Sequence, residues 1–262
     1  MANVALIHVT KRFGQSIALD DVSVTIEDED VFVILGPPKS GKSTMLRCLL
    51  GEENVTEGRV VIGSRDVTGL PPEERFAFDL GARFDWSTIS GHASVFDLVT
   101  LELRRRNIPP SEIECRVYKV ADKLNITDLL GKRVEDLLSG YPFAIGPREK
   151  VEKAWRHLTA SVSDVVIEDL DEIFSKVDPR HRQSWWAERA VENLLELRTC
   201  IKSPIVCTVP RPEQAVAVAT RIAILRGGVL QQVDKPENIL KNPANDFVAN
   251  LLSSFSQSEE KE

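Results

Sequence analysis

The 262-residue sequence is poor in several features that would send its interpretation elsewhere. Its four cysteines, Cys48, Cys115, Cys200 and Cys207, lie far apart without a C-x-x-C pair. That argues against a zinc site or a disulfide framework and fits a reducing cytosol. No apolar run approaches the roughly 20 residues that cross a bilayer, and the opening MANVALIHVTKRFG lacks the apolar stretch of a secretory signal. The chain is therefore expected not to enter a membrane by itself. Positive charge is not in excess: the formal net charge is -7, which gives no general pull toward nucleic acid, so none is expected as a partner. No internal repeat is visible. What remains is 42% hydrophobic residues, enough to fill one large α/β domain or a core with a modest second lobe.

Periodicity organises the chain. Residues 4–9, 22–26 and 58–68 alternate apolar with polar, with a turn at Gly63-Ser64, and suggest a small antiparallel layer. Val31 to Leu35 is a continuous β-prone apolar run, the pattern of a strand buried on both faces of a parallel sheet, and a helix over Lys42 to Leu50 follows at once. The middle third reads as helical: Ser111 and Glu114 form an S-x-x-E capping box, and Ile113, Val117, Val120, Ala121 and Leu124 share one face. Strand patterns return at Val165 to Ile167 and Ile205 to Val209, separated by a helix that Asp178 caps with Pro179 in its first turn. Arg221 to Leu225, Gly227-Gly228 and Val229 to Gln231 read as a closing hairpin before a helical C-terminus. The final ten residues, SSFSQSEEKE, are read as a frayed polar tail.

One motif carries chemistry on its own. Gly36-Pro37-Pro38-Lys39-Ser40-Gly41-Lys42-Ser43-Thr44 satisfies G-x-x-x-x-G-K-[ST] and lies between the buried strand and the helix, as a phosphate loop must. Such a loop aims backbone N–H groups at phosphate oxygens, and the helix behind it adds the positive end of its dipole. Lys42 is expected to reach the β and γ phosphates and Ser43 to hold Mg²⁺, so ATP and Mg²⁺ are the expected cofactors. Pro38 has no N–H to give, and each proline biases its predecessor toward extended geometry.

Over nearly its whole length the chain resembles the ATP-binding subunits of ABC importers, especially those for sugars, polyamines and osmolytes. The opening Val9-Thr10-Lys11-Arg12-Phe13-Gly14 carries part of the match, and the resemblance gives Phe13 the role of stacking on adenine. Gly51, Glu57-Gly58 and the run Arg65 to Arg75 (RDVTGLPPEER) resemble the stretch after the first helix in maltose-importer cassettes. Arg226 to Gln232, Pro236 to Leu240 and Asn242 to Val248 resemble the end of that ATPase domain, and the regulatory barrel that many sugar-importer ATPases carry beyond it is not expected here. The implied fold is α/β, a P-loop NTPase (RecA-like) core with a small antiparallel β subdomain and an inserted α-helical subdomain. The ATP-binding domain is placed at 1–252, the insert at roughly 88–157 and the tail at 253–262.

The family's other ATP-site motifs are altered. By register, the glutamine that links Mg²⁺ and attacking water to the membrane subunit falls on Asp85, which can bind Mg²⁺ through water but donates no hydrogen bond when ionised. The switch histidine falls on Pro210. The signature L-S-G-G-Q has two placements: Leu138-Ser139-Gly140-Tyr141-Pro142 is better by letter, Ala144-Ile145-Gly146-Pro147-Arg148 by register. The carboxylate pair expected to bind Mg²⁺ through water and to act as general base also has two: Glu168-Asp169 follow the strand directly but invert the expected order, whereas Asp171-Glu172 keep it, with the right spacing to Asp178.

Losing one donor to a transition state typically costs on the order of 10² to 10³ in turnover, so hydrolysis by this chain alone is expected to be weak or absent. The resemblance implies a bacterial transporter subunit peripheral to the cytoplasmic face of the inner (plasma) membrane. Its implied partners are a second, more competent cassette, transmembrane permease subunits and, through the complex, a solute-binding protein. The alternative is a soluble ABC-like nucleotide sensor or scaffold. A P-loop kinase fits poorly beside the importer-like segments, and no coiled-coil heptads support a DNA-linked ATPase.

Overall fold

The structure, a computed structural model, describes residues 4–75, 77–79, 90–139, 145–171, 192, 194–199 and 201–253. Two compact units emerge from its packing: Met1–Gly81 with Asp164–Glu262, and Ala82–Ser163.

Among the described residues the first unit contains two sheets. Strands β1 (Val4–Phe13), β2 (Ser16–Ile26), β4 (Glu57–Ile62) and β5 (Arg65–Asp66) form an antiparallel sheet in the order β2-β1-β4-β5. This is the antiparallel layer read from the alternation. Gly63, at φ 64°, makes the tight turn between β4 and β5. The pairing of β1 with β2 slips between Leu6 and Val9, where His8 takes a φ of 51° as a bulge does.

The second sheet has, among the described residues, six strands in the order β10-β9-β3-β8-β7-β6, adding β3 (Val31–Leu35), β6 (Ala77–Asp79), β7 (Val165–Asp169), β8 (Ile205–Thr208), β9 (Arg221–Arg226) and β10 (Val229–Asp234). All its neighbours pair in parallel except β9 and β10. The central β3 is buried at all five residues, as its unbroken apolar run demands. Gly227 and Gly228 both have positive φ, the requirement of a two-residue hairpin loop, and they join β9 to β10.

Helix α1 (Lys42–Leu50) packs Met45, Leu46 and Leu49 against Ile34, Val165, Ile167 and Val206 of the parallel sheet and Leu6 and Leu19 of the antiparallel one. Each of those three side chains is buried to 1% exposure or less, worth about 1.5–3 kcal/mol apiece, which fixes the helix in place. Further helices run over Pro212–Val218, Pro236–Lys241 and Asp246–Ser253. The expected tail opens at Ser253, which instead closes the last of these helices; its remainder, 254–262, and the expected cap at Asp178 and Pro179 lie outside the described residues.

The second unit is helical: α2 (Val95–Arg105), α3 (Pro110–Leu124), α4 (Val134–Ser139) and α5 (Ile145–Ala160). Its own core joins Leu98, Leu103, Ile113, Val117, Val151 and Leu158. The expected capping box at Ser111 and Glu114 does not form. Helix α3 starts two residues earlier, with Pro109 in the cap position and Pro110 as its first residue, and no side-chain cap. A proline in the first turn forfeits only an N–H that has no helix partner anyway, so it displaces the serine as the start signal. Helix α2 does carry a side-chain cap, the Ser94 hydroxyl accepting from the Asp97 N–H at 3.0 Å.

Candidate nucleotide site

The chain leaves β3 at Leu35, turns through Gly36 to Gly41, and enters α1 at the carboxyl end of the parallel strands, where open α/β sheets place their ligands. Two glycines make the turn possible. A side-chain carbon on Gly36 would lie 2.2 Å from the Leu225 carbonyl oxygen, and one on Gly41, at φ 106°, would lie 2.4 Å from that of Ala18. The loop is fastened by Ser40 N–H to the Pro37 carbonyl (3.2 Å) and by Gly228 N–H to the Ser40 carbonyl (2.9 Å). Lys39 is exposed with φ 65°, while Ser40 is buried and its hydroxyl has no hydrogen-bond partner. Ser43 and Thr44 occupy the first turn of α1, which holds no acidic residue and whose N–H groups have no helix carbonyl to bond.

Lys42 organises this end of the sheet. Its side chain is 8% exposed, and its ammonium donates to the Gly36 carbonyl (2.7 Å) and the Pro37 carbonyl (3.1 Å) while pairing with the Asp171 carboxylate at 3.1 Å. Burial pushes the Asp171 carboxyl above its ordinary value, against the opposing pull of Lys42 and with a smaller push from Asp169.

The four acidic candidates are separated by the strand's pleat. Val165 and Ile167 point into the core shared with α1, so Asp169 lies on that same face and Glu168 on the other. Glu168 is 5% exposed. Burial chiefly, then the charges of Glu168 and Asp169, push the neighbouring Cys207 thiol up. Asp169 accepts a 2.6 Å hydrogen bond from the Thr208 hydroxyl, which in turn accepts from the Asp171 N–H at 3.2 Å. Thr208, fully buried, therefore ties the end of β7 to β8. Glu172 and Asp85 lie outside the described residues. Ile34 pairs with Thr208, so Pro210, two residues further on, follows the strand beside the one that leads into the phosphate loop. Of the two signature placements, the first ends α4 at Ser139 and the second opens α5 at Ile145, with 140–144 outside the described residues.

Phe13 ends β1, paired with Ser16 two residues before Ala18, whose carbonyl packs against Gly41. It is 47% exposed and is no core phenylalanine. The Lys11 ammonium lies 4.6 Å from its ring centroid.

Among the described residues no group of three His, Cys, Asp or Glu side chains could hold a metal unaided. The Ser43 hydroxyl and the Asp169 and Asp171 carboxylates are nonetheless the hard oxygen donors that suit Mg²⁺, an ion that shares its ligands with water and nucleotide oxygens. The orphaned Ser40 hydroxyl and the buried Lys42 ammonium fit the anionic part of the same ligand. Three residues that sequence reasoning left without a role stand out: Lys11, Thr208 and Arg75. Lys11 alone had a local signal, its K-x-F spacing on one face of a strand.

A parallel sheet with a glycine-shaped loop, a buried lysine and carboxylates at the strand ends defines a P-loop nucleotide-binding cassette, with an antiparallel sheet and a helical part. The family model for ABC transporters matches residues 19–174. The chain belongs to the ABC transporter family. It is 32% identical over 254 residues to the osmoprotective compounds uptake ATP-binding protein GgtA of Synechocystis, covering 97% of this chain and 65% of that one. It is 31% identical over 260 residues to the trehalose/maltose import ATP-binding protein MalK of Thermococcus litoralis, with the same coverages. The sn-glycerol-3-phosphate import ATP-binding protein UgpC of Rhizobium meliloti is 32% identical over 255 residues, covering 97% of this chain and 68% of its own. The chain thus spans about two thirds of the length of these relatives. Among solved structures, the ADP conformation of the ATP-binding cassette MJ1267 superposes with a TM-score of 0.65 at 19% identity, covering 95% of this chain and 99% of that one, which establishes the fold.

Proposed function

We propose that this chain is the ATP-binding subunit of a bacterial ABC importer and the hydrolysis-impaired member of a pair of cassettes. The observation that carries the reading is the phosphate loop: a buried Lys42 held by two loop carbonyls and Asp171 keeps a cation where a triphosphate would dock. The relatives support the transporter over a free-standing sensor, since those named above are uptake or import ATP-binding proteins. Their names point to a sugar, an osmolyte or a small phosphorylated polyol as cargo, selected by partner proteins.

In this reading ATP bound with Mg²⁺ lies along the loop, its phosphates on the N–H groups of α1's first turn and on Lys42, with Phe13 stacked on the base. The magnesium supplies charge neutralisation to the phosphate oxygens when bound; Ser43 and Asp171 would hold it. The 3.1 Å approach of Asp171 to Lys42, set against the opposite-facing Glu168, supports assigning the acid pair to Asp171-Glu172. Pro210, with neither charge nor donor, supports loss of the contact that a switch histidine would make. The chain sits at the cytoplasmic face of the inner membrane with permease subunits, a solute-binding protein and a more competent cassette, whose signature would complete the site at this loop.

The decisive experiment compares ATP binding and turnover by the purified chain alone and with its genomic-neighbour cassette. Tight binding with negligible turnover alone, and turnover restored in the pair, is the expected result. Robust hydrolysis by the isolated chain overturns the impaired role, and absence of nucleotide binding overturns the whole reading.

A further inference from the structure

Lys11 is 9% exposed and fixed at three points. Its ammonium pairs with the Glu53 carboxylate at 2.8 Å, donates to the Asn54 carbonyl at 2.8 Å, and faces the Phe13 ring at 4.6 Å. The geometry follows from the sequence, since residues i and i+2 of a strand share a face and Lys11 and Phe13 are both on β1. Glu53 and Asn54 follow the helix that begins at Lys42, with the Glu53 N–H bonded to the Arg47 carbonyl. One ammonium thus joins the far end of the phosphate-loop helix to the aromatic ring, and about half of Phe13 stays open to solvent.

An ion pair alone would not need the ring. A cation against one face of an aromatic ring draws on its π density and holds the ring flat against it, and the ring's other face then becomes poorer in electrons. Such a face stacks best on an electron-rich heterocycle, and a ring already fixed loses less freedom when a base lands on it. We propose that Lys11 is a positioning residue of the base platform, holding Phe13 flat and polarised so that its open face takes a purine. The inference rests on the reading of Phe13 as the stacking residue.

Titration calorimetry of the full chain with ATP and, separately, with inorganic tripolyphosphate tests it. Lys11→Met and Lys11→Gln, the latter keeping a donor for the Asn54 carbonyl, are each expected to bind ATP about fivefold more weakly. Both should bind tripolyphosphate as the parent does, and Lys11→Arg should restore ATP binding to within about twofold. The double variant Lys11→Met with Phe13→Ala should bind ATP no more weakly than Phe13→Ala alone. Equal weakening of ATP and tripolyphosphate, or independent losses from Lys11 and Phe13, would show that Lys11 merely braces the helix and overturn the proposal. Unchanged ATP binding by Phe13→Ala instead removes the stacking reading itself, which separates the two failures.

Discussion

Replacing Lys42 by alanine tests the phosphate loop in both its states. In the free protein the ammonium makes three polar contacts, at 2.7, 3.1 and 3.1 Å, from a side chain only 8% exposed. Hydrogen bonds to charged groups contribute about 1.5–3 kcal/mol each, and leaving a fully buried charge unpaired costs about 3–5 kcal/mol. The Asp171 side chain is 25% exposed and its carboxyl is already raised by burial, so it can hydrate or take a proton instead of remaining a stranded charge. The expected loss for Lys42→Ala is therefore about 3 kcal/mol of unfolding free energy, the lower end for its two carbonyl hydrogen bonds. Adding Asp171→Asn removes the acid that the lysine neutralised, so the double variant should recover about 1 kcal/mol of that loss relative to additivity. ATP gives a second readout. At a free concentration one hundred times its dissociation constant it stabilises the parent by about 2.7 kcal/mol, and that increment should vanish in Lys42→Ala. Urea titrations with and without Mg-ATP measure all of these. An ATP-induced increment that survives the substitution would refute the assignment of the loop as the nucleotide site. A free-state stability unchanged within about 0.5 kcal/mol would refute the view that Lys42 ties the loop together.

Three further outcomes follow from the same structure. Steady-state hydrolysis by the isolated chain, followed by phosphate release, should lie at least about 10²-fold below that of a cassette with intact motifs, and parity with such a cassette would contradict the reading. Gly41→Ala should lower stability by more than about 1–3 kcal/mol and abolish ATP binding, because φ is 106° and the new carbon would meet the Ala18 carbonyl at 2.4 Å; a parent-like melting curve would show that the turn is not constrained as described. Ser94→Ala should cost about 1 kcal/mol through loss of the α2 cap. The Ser94 hydrogen bond is also the main cause holding the Asp97 carboxyl below its ordinary 3.8, so Asp97's contribution is present above that pH and lost as pH falls through the lowered folded value. The variant's acid-denaturation limb should be correspondingly shallower below about pH 4, and an identical limb would contradict that cause.

Local patterns foretold the elements that local forces dictate. The unbroken apolar run at Val31 to Leu35 has the pattern of a strand covered on both faces and forms one, and Gly227-Gly228 supplied the positive φ that a two-residue hairpin needs. The phosphate loop was legible because three of its residue types answer separate steric and electrostatic demands. The start of α3 was misjudged because Pro109-Pro110 outweighs the serine that follows. The acid pairs could not be ranked from letters alone, since both sit at the same strand end. What differs between their members comes from the pleat, which turns Glu168 but not Asp169 away from α1, and from the reach of Lys42 to Asp171, a contact 129 positions distant in the chain. Thr208 was invisible for the same reason: its hydroxyl acts only because β8 lies beside β7.

Arg75 secures the C-terminal end of α1. It is 2% exposed, and its guanidinium donates to the carbonyls of Cys48 (2.5 Å) and Leu49 (3.4 Å) in the last turn of α1 and to that of Leu70 (2.7 Å). Burial draws its pKa down from the ordinary value and pushes the Cys48 thiol beside it up to about 11. Gly51 makes this possible, because a side-chain carbon there would stand 2.4 Å from the Arg75 Nε. A cation at a helix C-terminus complements the dipole and satisfies carbonyls that have no helix partner. The Cys48 and Leu49 carbonyls are thus bonded by Arg75 and that of Arg47 by the Gly51 N–H, while Met45, Leu46 and Leu49 are locked in the core. At the other end, the first-turn N–H groups at Lys42, Ser43 and Thr44 likewise have no partner within the helix. Arg75 therefore anchors α1, a helix about 13 Å long at 1.5 Å of rise per residue, at the end away from the phosphate loop.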